Sequence, residues 1–85
     1  MRALVTGGAG FIGANFTSYW LDKYNADTII GLDCLTYAAN LSALQQLNKR
    51  NNFKFYKVNI CNQLEINNIF QNERPDVVIN FAAES

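Results

Sequence analysis

The sequence predicts an α/β fold, the N-terminal part of a doubly wound parallel sheet with the element order βαβαβαβ. Short, continuous apolar runs typical of strands buried on both faces alternate with segments whose apolar residues recur every three or four positions, as in amphipathic helices. No repeat or low-complexity stretch interrupts this alternation. Such a pattern implies right-handed crossovers and the strand order 3-2-1-4.

Length and composition place the whole chain in one domain. The 85 residues are 49% hydrophobic and 16% charged, with seven basic and seven acidic side chains. This is too apolar for a disordered segment. The zero net charge favours neither nucleic acid nor an anionic membrane as a partner.

Four strands are predicted from the apolar runs. Residues 3–5 form the first, and residues 28–32 form the second, which ends on Asp33. The third covers residues 53–58 and mixes apolar with lysine positions, which suits the sheet edge, and the fourth covers residues 77–82.

Three helices connect these strands. The first runs from Phe11 to about residue 24, with a predicted buried face at Ile12, Phe16, Tyr19 and Trp20. The buried faces predicted for the second and third helices are Leu41, Leu44 and Leu47, and Ile66, Ile69 and Phe70. Asn62 and Glu65 resemble a capping pair for the third helix, and Pro75 ends it.

A glycine-rich loop joins the first strand to the first helix and predicts a dinucleotide site. Gly7 allows a tight turn, Gly10 lets the backbone approach a pyrophosphate, and Gly13 lets helix and strand pack closely. Backbone N–H groups at the helix start would then meet the negative charge of the phosphates.

An acidic residue at the end of the second strand completes the Rossmann pattern. Asp33 lies 20 positions after Gly13, where a carboxylate accepts both hydroxyls of the adenosine ribose. A 2′-phosphate would meet that charge, and neither Cys34 nor Leu35 is basic, so NAD is predicted rather than NADP. The alternative is an ordinary glycine-rich turn with an aspartate beside a helix.

The third and fourth strands should end at the same sheet edge, which brings Asn59, Ile60 and residues 81–85 towards the cofactor. Asn59 could meet the adenine edge or simply end a strand with a turn. Ala82 and Ala83 could let the nicotinamide half pass or could pack in the core.

Cysteine usage argues against metal or redox chemistry. Cys34 and Cys61 lie 27 positions apart in a chain without histidine, so neither a zinc cluster nor a CxxC pair is predicted, and reduced thiols are expected. The apolar run at residues 3–5 is too short for a signal peptide or a membrane span, so a cytoplasmic protein is expected.

Four segments resemble the extended short-chain dehydrogenase/reductases and, among them, the dTDP-glucose 4,6-dehydratases. Residues 6–13, Thr-Gly-Gly-Ala-Gly-Phe-Ile-Gly, are similar to the TGGAGFIG-type loop shared across the superfamily. Residues 33–40, 59–61 and 81–85 look like the dehydratase segments D-K-L-T-Y-A-G-N, D-I-C and F-A-A-E-S. The sequence departs from these segments at Cys34, Ala39 and Asn59, where the pattern has lysine, glycine and aspartate.

The resemblance implies a set of NAD contacts. These would fall on Phe11, Ile12, Asp33, Cys34, Leu35, Thr36, Asn59, Ile60, Phe81, Ala82, Ala83, Glu84 and Ser85. Ser85 would also approach the substrate.

It also implies a reaction in which NAD takes a hydride from C4 of a nucleotide sugar, water leaves across C5 and C6, and the hydride returns to C6. The Tyr-x-x-x-Lys and Asp-Glu pairs that this cycle needs lie beyond position 85 in the family, so no catalytic residue is predicted here. Tyr19 and Lys23 form a Tyr-x-x-x-Lys, but the helix rises about 1.5 Å per residue and carries them away from the phosphates. Tyr19 is instead assigned to the buried face and Lys23 to a solvated helix end.

Three functions follow for residues 1–85. The first is a partial NAD-binding domain without its substrate domain, from a nucleotide-sugar dehydratase that is a homo-oligomer when intact, or from a related epimerase or decarboxylase. The second is a non-catalytic NAD-binding module, and the third a truncation that neither folds nor binds. Because the fourth strand is an apolar edge and only the third helix covers one face, the isolated chain is expected to be unstable, to self-associate, or to be part of a longer chain.

Overall fold

A computed structural model describes residues 1–35 and 40–81. The elements are β1 (Arg2–Thr6), α1 (Phe11–Lys23), β2 (Thr28–Asp33), α2 (Leu41–Asn48), β3 (Phe53–Lys57), α3 (Gln63–Glu73) and β4 (Val77–Asn80). The four strands are parallel and lie in the order β3-β2-β1-β4. The predicted fold class and strand order are therefore confirmed.

The central strands β1 and β2 are buried on both faces, which explains their continuous apolar runs. Ala3, Val5 and Ile29 point into a core that includes residues of α1 and α2. Leu4 and Ile30, which are register partners, belong to a second core that includes Ile69 of α3. The sheet thus separates two helices on one face from one described helix on the other.

The buried face predicted for α1 is wrong. The helix buries Gly13, Ala14, Thr17 and Leu21, whereas the side chain of Tyr19 is 61% exposed. The reason is the close approach of the start of α1 to the glycine loop and the sheet, which leaves room for small residues as far as Thr17, whereas Leu21, one turn later, buries a large side chain.

Aromatic residues therefore flank the contact between α1 and the sheet. The Phe16 ring lies 5.7 Å from Trp20 and 5.2 Å from Phe81, and all three side chains are partly buried against the core. Ile12, also predicted to be buried, is 65% exposed. The aromatic side chains of α1 and Ile12 thus cover the side of the core or face outwards.

The buried faces predicted for α2 and α3 are each wrong at one residue. Leu44, Leu47 and Ile69 are buried as expected, but Leu41 is 56% and Phe70 is 38% exposed. Leu41 is the first residue of α2 and lies one turn before Leu44, the first residue that this helix buries.

The predicted cap of α3 is present. Asn62 Oδ1 accepts a hydrogen bond from the Glu65 backbone N–H at 3.2 Å, and Asn62 Nδ2 donates to Glu65 Oε1 at 2.9 Å. Arg74, in the left-handed region at φ 48°, ends the helix before Pro75.

A cavity of about 150 Å³ lies between α3 and the sheet, beside the contact that Ile69 makes with Leu4 and Ile30. Its lining is Leu4, Thr6, Leu32, Ile60, Ile66, Phe70, Val78 and Asn80. Phe70 is exposed because this face of β1 and β4 carries no other helix among residues 1–35 and 40–81, and Val78 of β4 is 49% exposed for the same reason. This agrees with the unequal coverage of the two faces expected from the crossovers.

A buried carboxylate at the end of α3 forms hydrogen bonds with side chains of β1 and β3. The Glu73 side chain is 4% exposed, and its carboxylate accepts hydrogen bonds from Arg2 Nη2 at 2.6 Å, from Lys54 Nζ at 3.3 Å and from the Tyr56 hydroxyl. Burial raises the pKa of Glu73, but the hydrogen bonds from Tyr56 and Lys54 and the nearby cations outweigh it, so the pKa lies below its ordinary value of 4.5.

Replacement of this carboxylate should change the pH dependence of stability. Because the pKa of Glu73 is lower in the folded protein, its contribution is complete above pH 4.5 and is lost as the pH falls through the folded pKa. We expect Glu73→Gln to lower the free energy of unfolding at pH 7 by about 1–3 kcal/mol and to flatten its decline in acid. Denaturant unfolding between pH 3 and pH 7 measures both effects.

The exposed Glu65 provides a matched control for that substitution. Glu65→Gln keeps an oxygen that can accept from Asn62 Nδ2, so the unfolding free energy should change by less than about 0.5 kcal/mol. Equal pH profiles for Glu73→Gln and the unmodified protein would show that the carboxylate does not contribute in this way.

Candidate functional site

The glycine loop lies at the C-terminal edge of the sheet, where parallel strands of this fold place ligands. It leaves β1 after Thr6 and enters α1 at Phe11. Gly7 has a φ of 73°, which confirms the tight turn predicted at this position. The first glycine of the motif thus directs the chain from the strand into the loop.

Four hydrogen bonds hold the loop in place. The Gly8 N–H donates to the Leu32 carbonyl at 3.0 Å, and the Gly10 N–H donates to the Gly7 carbonyl at 3.2 Å. Ala9 is held on both sides, because its N–H donates to Asp33 Oδ2 at 2.9 Å and its carbonyl accepts from the Asn40 N–H at 2.7 Å. These bonds come from β2, from the loop itself and from Asn40.

Gly13 confirms the close packing predicted for the third glycine. A Cβ atom built on Gly13 would lie 2.2 Å from the Gly7 carbonyl oxygen and 3.3 Å from Gly8 Cα. Both neighbours are backbone atoms of the loop, which a side chain cannot displace without moving the turn. Only glycine allows α1 to begin this close to β1.

The N-terminus of α1 offers N–H groups that a ligand could use. The N-terminal capping residue is Gly10, which has no side chain to accept from the helix, and the first turn contains no acidic residue. Amides of the first helical turn lack a carbonyl one turn earlier, so those of Phe11, Ile12 and Gly13 are suited to an anion. This is the environment that a diphosphate requires.

Asp33 ends β2 with its side chain 3% exposed. Oδ2 accepts from the Ala9 N–H at 2.9 Å, and Oδ1 accepts from the Leu35 N–H at 3.0 Å. Leu35 has a φ of 59°, so this tight turn at the end of β2 places a non-glycine residue in the left-handed region. The sequence predicted a ribose ligand here but not that this carboxylate also holds the glycine loop.

At the end of β3, Asn59 forms a turn. Its Oδ1 accepts from the Cys61 N–H at 2.9 Å, and its carbonyl accepts from the Asn62 N–H at 2.8 Å. This is the strand-ending role considered for it, and the adenine contact stays a prediction. Ile60 is 47% exposed beside it.

The remaining predicted contacts are only partly described. Cys34 is partly buried next to Asp33, and the Phe81 N–H donates to the Thr6 carbonyl at 2.9 Å, which extends the pairing of β4 with β1 by one residue. Thr36, Ala39, Ala82, Ala83, Glu84 and Ser85 lie outside the described residues.

The Tyr-x-x-x-Lys of α1 lies on the outer surface of the helix. Tyr19 is exposed rather than part of the buried face, and Lys23, in the last turn, has its Nζ 3.5 Å from the Tyr19 hydroxyl. The same Nζ lies 5.7 Å from the centre of the Tyr19 ring. Lys23 is exposed at the helix end, as predicted, and pairs with the tyrosine it follows.

Two residues of the site were missed by the sequence argument. The first is Ala9, which is fully buried and has both its N–H and its carbonyl hydrogen-bonded. The second is Asn40, whose N–H donates to the Ala9 carbonyl and whose Oδ1 accepts from the Ala43 N–H at 3.1 Å to cap α2. An asparagine directly before a helical pattern is a signal for a cap. Nothing local to Ala9 indicates its partners, which come from the second strand and the second helix.

Other kinds of site find no support in the described part of the chain. Residues 1–35 and 40–81 contain no group of three or more Cys, Asp or Glu side chains suited to a metal ion. Over the same residues, every helix is too short or too polar to cross a membrane.

Comparison with known proteins gives consistent matches over nearly the whole chain. The family described as GDP-mannose 4,6 dehydratase matches residues 4–85. A dTDP-glucose 4,6-dehydratase of Salmonella typhimurium is 42% identical over 85 residues, which are 100% of this chain and 23% of that protein.

Solved structures agree with the sequence matches. The NAD complex of a dTDP-glucose 4,6-dehydratase from Bacillus anthracis superposes with a TM-score of 0.93 at 42% identity, over 99% of this chain and 27% of that one. A UDP-glucose 4-epimerase from Thermotoga maritima superposes with a TM-score of 0.82 at 32% identity, over 100% of this chain and 25% of that one. The chain therefore spans about a quarter of the length of these relatives.

Proposed function

The chain belongs to the family described as GDP-mannose 4,6 dehydratase, and we propose that it forms the NAD-binding half-site of a nucleotide-sugar 4,6-dehydratase. The observation that carries the proposal is the glycine loop bonded directly to the Asp33 carboxylate at the C-terminal sheet edge. That bond unites the two parts of the fingerprint, the diphosphate loop and the ribose ligand, in one structural unit.

The residues present fit the cofactor. The diphosphate would bind the first-turn amides of α1, where no acidic side chain opposes it. The adenosine ribose would bind the Asp33 carboxylate, because a carboxylate at the end of the second strand accepts hydrogen bonds from ribose hydroxyls. Asn59 keeps its amide N–H₂ group for the adenine edge, while its Oδ1 accepts from the Cys61 N–H. The contacts proposed for Thr36 and residues 82–85 rest on the resemblance.

In the longer protein, bound NAD would accept a hydride from the sugar and later return it. What residues 1–85 contribute is binding and orientation, because the loop and Asp33 fix the adenosine diphosphate half of the cofactor. The dTDP-glucose 4,6-dehydratase from Bacillus anthracis superposes on this chain and was solved with NAD, which supports NAD as the cofactor, and the likeness to that enzyme supports dTDP-glucose as the substrate. Activity belongs to the protein that also supplies the substrate domain and the proton-transfer residues.

Calorimetric titration of the longer protein tests the cofactor assignment. NAD should bind, and NADP should bind at least about tenfold more weakly, because its 2′-phosphate would face the carboxylate of Asp33. ADP-ribose, which lacks only the nicotinamide, should retain most of the NAD affinity. Equal affinities for NAD and NADP would refute this assignment of Asp33, and absence of any heat with NAD would refute the proposed function.

An epimerase is the second candidate, because the Thermotoga maritima UDP-glucose 4-epimerase superposes over the whole chain. The higher identity to the dehydratases, 42% against 32%, favours dehydration. Incubation of the longer protein with dTDP-glucose should give a 4-keto-6-deoxy sugar with its ultraviolet absorbance in alkali. Formation of a 4-epimer from UDP-glucose instead would reassign the reaction.

The setting of this half-site is part of the proposal. We assign residues 1–85 to a partial NAD-binding domain that works with a substrate domain, in a cytoplasmic homo-oligomer.

A further inference from the structure

We propose that Asn40 is a positioning residue for the cofactor diphosphate, acting through its backbone N–H on the carbonyl of Ala9. The proposal rests on the proposed NAD-binding function and concerns a residue outside the predicted contacts. Asn40 N lies 2.7 Å from the Ala9 oxygen, and Ala9 is fully buried. A buried carbonyl without a donor is unfavourable, so this bond constrains the loop.

The consequence of the bond follows from the planarity of the peptide unit. The Ala9 carbonyl and the Gly10 N–H belong to one rigid plane and point in opposite directions. The bond from Asn40 therefore also orients the Gly10 N–H, which donates to the Gly7 carbonyl at 3.2 Å and closes the turn. Asn40 thus fixes the last peptide before the helix that would receive the phosphates.

Each peptide plane of the loop has such an anchor. The peptide plane between Gly7 and Gly8 is held because the Gly8 N–H donates to the Leu32 carbonyl at 3.0 Å. The plane between Gly8 and Ala9 is held because the Ala9 N–H donates to Asp33 Oδ2 at 2.9 Å. The plane after Gly10 is held within α1, where the Ala14 N–H donates to the Gly10 carbonyl at 2.9 Å. Among these planes, the one between Ala9 and Gly10 is held by Asn40, the residue that caps α2.

Asn40 is itself held firmly, which makes it an effective anchor. It is the N-terminal cap of α2, where its Oδ1 accepts from the Ala43 N–H at 3.1 Å and its carbonyl accepts from the Leu44 N–H at 3.0 Å. Leu44 is buried in the core between α2 and the sheet. The position of the loop carbonyl is therefore set by the packing of α2.

Backbone and side-chain roles can be separated by two substitutions. Asn40→Pro removes both the N–H and the cap, and the φ of −83° at this position is near the angle that proline imposes. Asn40→Ala removes only the cap and keeps the N–H. The comparison of the two variants isolates the bond to Ala9.

NAD and adenosine are the two probes, because adenosine carries the base and ribose but no phosphate. We expect Asn40→Pro to raise the Kd for NAD about tenfold or more above that of Asn40→Ala, with the Kd for adenosine equal in the two variants. Calorimetry measures the Kd for NAD, and NMR titration measures the Kd for adenosine. An equal rise for both ligands, or no difference in NAD affinity between the variants, would overturn the proposal.

Two further outcomes are distinguishable. If the unmodified protein binds no NAD, the proposed function fails, whereas NAD binding that is insensitive to Asn40→Pro contradicts only the role of Asn40. If the proline variant does not fold, an ester bond in place of the amide between residues 39 and 40 removes the N–H alone. Chemical ligation at Cys61 gives access to that variant, which should weaken NAD binding and spare adenosine; unchanged NAD affinity would count against the proposal.

Discussion

Gly13→Ala should lower the free energy of unfolding by about 3 kcal/mol, at the upper end of the cost of overpacking a core. The added methyl group would stand 2.2 Å from the Gly7 carbonyl oxygen, so α1 and the loop must move apart. Folded domains have a total stability of only about 5–15 kcal/mol, so the substitution removes a large fraction of it. Denaturant unfolding measures the change, and NAD titration should show a parallel loss of binding.

Two other glycines provide graded controls for this substitution. A Cβ on Gly8 would lie 3.1 Å from the Cα of Gly31, and a Cβ on Gly31 would lie 3.2 Å from the Phe53 ring. A ring can shift by a few tenths of an ångström more readily than backbone can. The expected order of destabilisation is therefore Gly13→Ala, then Gly8→Ala, then Gly31→Ala. A Gly13→Ala protein as stable as Gly31→Ala would contradict the packing described for α1.

Asp33→Asn should weaken NAD binding by at least tenfold and also destabilise the ligand-free protein by about 1–3 kcal/mol. Both carboxylate oxygens accept backbone N–H groups, from Ala9 and from Leu35. An amide has one oxygen, so its NH₂ group must face one of these buried donors. Thermal unfolding without NAD detects this effect independently of any ligand.

The same chemical change at an exposed position is the control. Asp22 is paired with Arg50 at 2.5 Å with its side chain 68% exposed, and loss of such a pair costs less than about 1 kcal/mol. Asp22→Asn should therefore leave both stability and NAD binding nearly unchanged. If Asp33→Asn weakens NAD binding but leaves the ligand-free melting temperature unchanged, Asp33 contacts the ribose without holding the loop.

These two substitutions have a practical consequence for attempts to change cofactor preference. Removal of the charge at Asp33 to admit a 2′-phosphate would at the same time leave the N–H of Ala9 or of Leu35 without its acceptor. A change of preference towards NADP therefore requires a second substitution that restores an acceptor for that N–H.

The element order, the strand order and the loop with its partner acid could all be predicted from the sequence, because each depends on local patterns. Continuous apolar runs mark strands buried on both faces, and three glycines at fixed spacing mark the turn before α1. Right-handed crossovers then leave few possible arrangements of four parallel strands.

The tertiary structure decided which side chains those elements bury and what holds the site. The apolar spacing of α1 indicated a helix but the wrong face, because the close approach at Gly13 requires small residues, such as Ala14 and Thr17, in the part of the helix nearest the loop. The bonds from Asp33 and Asn40 to Ala9 join residues 24 and 31 positions apart. No local pattern encodes them, since they depend on how the second strand and second helix pack beside the loop.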